Sequence, residues 1–255
     1  MSTALVTGAT AGIGESFSRL LAGKGFDLVL VARDKKRLQE RATSLSKKYK
    51  INVEVLQADL SVPTQLARVV KRLSNPKKPI EVLINNAGFG IKDSFLKSDI
   101  EAELALIDVL ARAPMQLMHA VLPQMLKRDL GVIINVSSVA SFIAGGTYSA
   151  AKSYLTVHTE SLHTELSKTN INISVVCPGF TRTEFHQRGK MKMSGLPNFM
   201  WLSADRVVAD SWRAAMAGKA ICIPGWQYKI LSTIARFGPR PLVRKLGIKV
   251  RARQR

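Results

Sequence analysis

The chain has 255 residues, of which 46% are hydrophobic and 22% charged, with no low-complexity tract; this excludes a disordered polymer and fits one α/β domain. A formal net charge of +20 is compatible with nucleic acid, an anionic membrane surface, an anionic cofactor or substrate, or only a solvated surface, so charge by itself assigns no partner. The two cysteines, Cys177 and Cys222, lie in short apolar segments without metal-ligand spacing, which predicts reduced core thiols, no metal site and a cytoplasmic setting.

Residues 1–8 run directly into a strand and a glycine-rich turn, without a basic leader. No apolar run reads as the roughly 18 to 20 residues that a membrane-spanning helix needs, so no span is expected. Apolar, β-rich runs recur at 4–7, 27–32, 51–57, 81–85, 131–137, 171–177 and 220–224. Their near-continuous Val, Ile and Leu content is that of strands buried on both faces. Helical spacing fills the intervals, as in Phe17, Leu20 and Leu21 or Leu38 and Leu45. The expected fold is a single Rossmann-type doubly wound domain of about seven parallel strands with helices on both faces.

After the first strand comes Thr7-Gly8-Ala9-Thr10-Ala11-Gly12-Ile13-Gly14, opening a helix near Ile13. Glycines there let the backbone turn tightly against a pyrophosphate, and the helix start offers free N–H groups. The second strand ends at Arg33, where dinucleotide folds distinguish a ribose hydroxyl from a 2′-phosphate; a guanidinium there favours NADPH (NADP+) over NADH. Asp34 reads as the N-cap of the next helix and keeps NADH as the lesser alternative. Asp59, after the third strand, either contacts an adenine or caps a helix.

Ser137-Ser138 follow the fifth strand, and Tyr148 and Lys152 stand four apart on one helical face. A free tyrosine is a poor acid or base at neutral pH, whereas a neighbouring Lys and an oxidised nicotinamide both favour phenolate and predict a lowered value. From Thr183 to about Ser203 the period is lost, and Phe185, Met191, Met193, Leu196, Phe199, Met200 and Trp201 suggest either a substrate lid or a loop covering core. Residues 226–255 form a basic amphipathic extension, with Lys229, Arg236, Arg240, Arg244, Lys245, Lys249, Arg251, Arg253 and Arg255 and no acidic residue. Trp226, Tyr228, Ile230, Leu231, Ile234 and Phe237 accompany these cations. The segment either docks peripherally on an anionic inner-membrane face or covers the sheet edge of the same domain as residues 1–225.

Taken together, the glycine turn, Asp59, Asn85-Asn86-Ala87-Gly88, Ser138, Tyr148 with Lys152, and Pro178-Gly179 with Thr183 resemble the short-chain dehydrogenase/reductase family over essentially the whole chain. The resemblance implies an NADP(H)-dependent oxidoreductase. Ser138 would hold the substrate carbonyl, Tyr148 would deliver its proton, and Lys152 would hold the nicotinamide ribose. Thr7, Gly8, Thr10, Gly12, Ile13 and Gly14 would form the pyrophosphate cradle. Arg33, Asp59, Leu60, Asn86, Ala87 and Gly88 would line the adenosine side, with Asn85 supporting it, and Pro178, Gly179 and Thr183 would meet the carboxamide. The segment Pro197-Asn198-Phe199-Met200-Trp201-Leu202 and Ile223-Pro224-Gly225 are similar to a bacterial subgroup that includes long-chain 3-oxoacyl and mycolate-type reductases. That likeness implies an apolar, lipid-like carbonyl substrate, and the family is commonly homo-oligomeric.

Two positions depart from the family pattern. Ser138 precedes Tyr148 by 10 positions, a short interval for the family, which implies a shortened loop. Leu110 stands where the family often has a catalytic Asn, and leucine cannot hydrogen-bond a relay water. This leaves a catalytically weak NADPH-binding scaffold as the competing reading. Specific nucleic-acid binding is not expected, because no recognised motif appears and aromatics make up only 6% of the chain.

Overall fold

The computed structural model describes residues 2–188, 197–239, 241 and 243–245. In chain order the strands are β1 (Thr3–Thr7), β2 (Asp27–Ala32), β3 (Val53–Gln57), β4 (Val82–Asn85), β5 (Gly131–Val136), β6 (Ile171–Val176), β7 (Thr181–Arg182), β8 (Leu202–Ser203) and β9 (Ile221–Cys222). All but β7 and β8 form one parallel sheet in the order β3-β2-β1-β4-β5-β6-β9. Each expected strand is present, with its ends displaced by at most two residues.

The helices are α1 (Gly12–Gly23), α2 (Lys35–Tyr49), α3 (Pro63–Leu73), α4 (Ile100–Ile107), α5 (Ala113–Arg128), α6 (Thr147–Glu165), α7 (Phe185–Arg188), α8 (Ala204–Met216) and α9 (Trp226–Phe237). Strand alternation sends side chains to two cores. Leu5, paired in register with Val29 and Leu83, packs with Leu66 of α3, Leu117 of α5 and Leu155 of α6. Its neighbours Ala4 and Val6 face the other way, onto Phe17 of α1, Leu38 of α2, Val207 of α8 and Tyr228 of α9. Each fully buried Leu or Phe stabilises the fold by about 1.5–3 kcal/mol.

Asp34 N-caps α2 by accepting from Arg37 N at 3.0 Å, which is the capping role expected of it. Between α4 and α5 the helix widens into a π-turn, Asp108–Arg112, in which Ala113 N donates back to Asp108 O. Pro114 follows, and a proline lacks an N–H and crowds the carbonyl one turn earlier, so the widened turn relieves the clash. The continuous helical run from Ile100 to Arg128 corrects the expectation of no sufficiently long apolar segment. By length and composition it is long enough to cross a membrane, yet 56% of its most apolar window is buried inside the fold, as in a core helix.

β7 and β8 were not foreseen. They pair in parallel, Thr181 with Leu202 and Arg182 with Ser203, and so fix the two ends of the expected lid. Of that lid, Met191, Met193 and Leu196 lie outside the described residues, as do Arg240, Leu242 and everything beyond Lys245 in the basic extension.

Candidate active site

The strand order reverses between β1 and β4, and a cavity of about 1670 Å³ opens at the carboxyl ends of these strands, where such folds bind ligands. Gly8 and Gly12 have φ of +67° and +57°, and each lies hard against a neighbour. An added Cβ would come within 2.8 Å of Asn86 Nδ2 at Gly8 and within 2.9 Å of Thr183 Cβ at Gly12. At Gly14 it would run into Gly8 O and Asn86 Nδ2. The turn is held from behind. Thr7 Oγ1 accepts from Asn86 N at 2.9 Å and Ala87 N at 3.0 Å, while Asn86 Nδ2 donates to Thr7 O at 2.9 Å. Helix α1 has no side-chain cap at Ala11, so its first N–H groups are not consumed by a capping side chain. A cradle that admits no side chains at a helix start suits a pyrophosphate.

Every predicted site residue except Thr7, Gly14 and Asn85 lines this cavity. Thr7 and Gly14 shape it instead. Asn85 ends β4 with its side chain buried and donates to Asn135 Oδ1 at 2.8 Å, so it braces the strand end from within the sheet and does not line the cavity. Strand alternation turns Asn86, one residue on, toward the glycine turn.

Arg33 is 70% exposed at the cavity rim, with its guanidinium 3.7 Å from Asp59. Asp59 also accepts from Ser61 N at 3.0 Å and Ser61 Oγ at 2.7 Å, while Val62 is the N-cap of α3, so Asp59 organises its own turn and faces the cavity. Sequence reading missed Arg37, whose fork holds Glu184 from across the cavity at 2.7 and 3.0 Å. The run of basic residues Lys35, Lys36 and Arg37 in the first turn of α2, just past Arg33, was the available signal.

Of the serine pair after β5, Ser137 is structural, with Oγ 2.9 Å from Lys152 O and 2.8 Å from Thr156 Oγ1. Ser138 accepts from Ala140 N at 3.1 Å and shares a side-chain hydrogen bond with Tyr148. Lys152, 4% exposed, donates from Nζ to Val136 O at 2.6 Å, and Nζ lies 5.8 Å from the Tyr148 ring centroid. Burial pushes Tyr148 up to about 12 against the opposing Ser138 bond, and burial brings Lys152 down to about 8. The expected lowering of Tyr148 by Lys152 is thus corrected: burial raises Tyr148, and the hydrogen bond from Ser138 opposes it only in part. Cys177, behind this group, is buried and raised to about 11 by burial, as befits a reduced core thiol.

Leu110 sits in the π-turn at 1% exposure. Its Cδ2 would lie 2.9 Å from a Cβ added at Gly88. It is a packing residue beside Lys152, since the same point is 3.9 Å from Lys152 Nζ.

The far wall was not legible in advance. Tyr228 of α9 lays its ring flat against Gly179, where any Cβ would overlap it. Its hydroxyl accepts from Phe180 N at 2.9 Å and donates to Met200 O. Gln227 Nε2 donates to Phe199 O at 2.9 Å, and Leu231, Ser232 and Ala235 complete the wall. On this side of the cavity the Phe185 ring lies 6.1 Å from that of Tyr148.

The short chain dehydrogenase family matches residues 2–193 of this sequence. The chain belongs to the short-chain dehydrogenase/reductase family. As a member, it is an oxidoreductase. Among relatives of this family, the NADP-dependent 3-hydroxy acid dehydrogenase of Schizosaccharomyces pombe is 35% identical over 188 residues, covering 72% of this chain and 73% of that protein. A short-chain dehydrogenase from Sphingobium yanoikuyae, solved in complex with NADPH, superposes with a TM-score of 0.84 at 34% identity, covering 91% of this chain and 93% of that one. The bulky-bulky ketone specific alcohol dehydrogenase from Comamonas testosteroni superposes with a TM-score of 0.80 at 29% identity, covering 91% of each chain.

Proposed function

We propose that this oxidoreductase uses NADP(H) to reduce a ketone, or to oxidise the matching secondary alcohol, on an apolar, acyl-chain-like substrate. The observation that carries this reading is the meeting of Ser138, Tyr148 and Lys152 beneath an apolar wall of Phe89, Ile91, Val109, Ile143, Phe185 and Leu231. When bound, the nicotinamide supplies hydride to the carbonyl carbon. Gly8, Thr10, Gly12 and Ile13 hold the pyrophosphate, Arg33 meets the 2′-phosphate, Asp59, Leu60, Asn86, Ala87 and Gly88 border the adenosine, and Pro178, Gly179 and Thr183 border the nicotinamide. Ser138 hydrogen-bonds the carbonyl oxygen. Tyr148, raised to about 12, keeps its proton at neutral pH and is an acid aimed at the same oxygen. Lys152, brought to about 8 by burial, lies beside the Tyr148 ring, where it would hold the nicotinamide ribose and favour the phenolate left once Tyr148 has given up its proton.

Support for a bulky ketone or its alcohol comes from the similarity to the yeast 3-hydroxy acid dehydrogenase and the Comamonas bulky-bulky ketone specific alcohol dehydrogenase, and support for NADP(H) from the yeast and Sphingobium proteins. The test is oxidation of NADPH and NADH, side by side, with ketones and 3-oxoacyl thioesters of increasing chain length. Consumption of NADPH that rises with chain length is expected. Equal use of NADH, in a protein whose Arg33→Ala variant binds both cofactors unchanged, would overturn the cofactor assignment.

A homo-oligomer is part of this reading, supported by the exposed apolar side chains Ile100, Leu104, Met115 and Val157 on α4 to α6. Light scattering of the purified protein tests it. Exposed Trp226, Ile230 and Phe237 on α9, beside Lys229, support peripheral docking on anionic lipid. Co-sedimentation with anionic but not neutral vesicles, lost at high salt, is the outcome this requires.

A further inference from the structure

Inside the cavity, the guanidinium of Arg37 is already committed to an anion of the protein itself. Nη1 stands 3.0 Å from Glu184 Oε2 and Nη2 stands 2.7 Å from Oε1, a two-pronged pair. Arg37 lies in the first turn of α2, one turn beyond Arg33, and both border the end of the cavity where β2 gives way to α2. That is where such folds read the adenosine ribose. Glu184 arrives from the opposite side. Its neighbours are Thr183, packed on Gly12, and Phe185, packed on Tyr148, so its carboxylate extends from a segment that also touches the glycine turn and the catalytic tyrosine. Of the other carboxylates near Arg37, Asp34 is occupied as the N-cap that accepts from Arg37 N, and Glu15 is paired with Arg19 and Arg41.

We propose that Arg37 is a second determinant of 2′-phosphate recognition and that Glu184 is its built-in competitor. A guanidinium fork takes one carboxylate or one phosphate edge in its bidentate geometry. The 2′-phosphate therefore binds an Arg37 that has first let go of Glu184, and its apparent affinity is reduced by the fraction of molecules in which the internal pair is closed. A ribose hydroxyl makes no claim on the fork, so NAD(H) affinity is indifferent to Glu184. The competitor thus narrows the preference between the two cofactors and links the charge at the adenosine end to the segment beside Tyr148. Arg33, mostly exposed and 3.7 Å from Asp59, is the less encumbered of the two cations.

This inference rests on the NADP(H) reading, and the experiment separates the two. Full-length protein is titrated calorimetrically with 2′,5′-ADP, which carries the discriminating phosphate, and with 5′-AMP, which does not. Glu184→Gln keeps the shape and removes the charge; it is expected to bind 2′,5′-ADP about 3- to 10-fold more tightly and 5′-AMP unchanged, the range of coupling seen between contacting charged groups. Glu184→Ala should behave alike. Arg37→Gln is expected to lose about tenfold or more for 2′,5′-ADP only, and Glu184→Gln added to it should give no further gain. If the unaltered protein favours 2′,5′-ADP but neither Glu184 variant tightens it, or both ligands weaken together, the competitor proposal is wrong while the cofactor reading stands. If the unaltered protein binds the two ligands equally, both fall.

Discussion

Lys152 Nζ donates to the backbone carbonyl of Val136 at 2.6 Å, and this contact leaves the ammonium beside the Tyr148 ring without a carboxylate counter-ion among the described residues. Burial favours the neutral amine, bringing Lys152 from 10.5 to about 8. Between those two values the unfolded chain binds more protons than the folded one, so this lysine destabilises the fold below about pH 8 and the deficit is relieved as pH rises toward 10.5. Urea denaturation at pH 7.5 and 9.5 should therefore show the unaltered protein gaining on Lys152→Met by about 1–2 kcal/mol. Comparison with the variant cancels the opposite trend from Cys222, which burial raises to about 11. A constant difference across that pH range would refute the assignment.

Tyr148→Phe should lower kcat by about 10²- to 10⁴-fold while leaving NADPH affinity nearly intact, because only the proton donor is lost. Single-turnover kinetics together with a cofactor titration check this. Retention of more than about a tenth of the activity would mean that another group supplies the proton.

Leu110→Asn should destabilise rather than activate. The side chain is 1% exposed and fills the space over Gly88, so an amide there is buried without a designed partner, at about 1–3 kcal/mol. Denaturation midpoints measure the loss, and the pH profile of kcat should keep its shape. A variant of normal stability with a shifted profile would show that the site accepts a relay residue.

Tyr228→Phe removes the hydroxyl that bonds Phe180 N and Met200 O but keeps the ring over Gly179. We expect a loss of about 1–3 kcal/mol from the unpaired backbone N–H and a KM for ketone raised several-fold, with cofactor affinity little changed. Equal weakening of ketone and cofactor would instead indicate that α9 supports the whole cavity.

Much of this was readable from the residues. The seven strands announce themselves because burial on both faces demands continuous apolar runs, and the glycine turn and the Tyr148–Lys152 pair are local patterns. What escaped was long-range or depended on register. Arg37 meets Glu184 across 147 positions, and Tyr228 meets Phe180 across 48, distances over which no local period carries information. Asn86 lines the cavity and Asn85 does not, because successive residues at a strand end emerge on opposite faces. The π-turn that places Leu110 arises from the neighbouring Pro114, whose effect on a helix is certain in kind but not in form.

The packing of Tyr228 against Gly179 also has a temporal side. All seven sheet strands precede α9 in the polypeptide, so the sheet is able to assemble while the wall formed by Leu231, Ser232 and Ala235 is still missing. This chain order predicts that docking of the helix is the last step of folding and that ligand capture comes with it. A ligand present during refolding should accelerate or trap that final docking step, and an amide-exchange experiment should find α9 opening separately from, and more often than, the strands it covers.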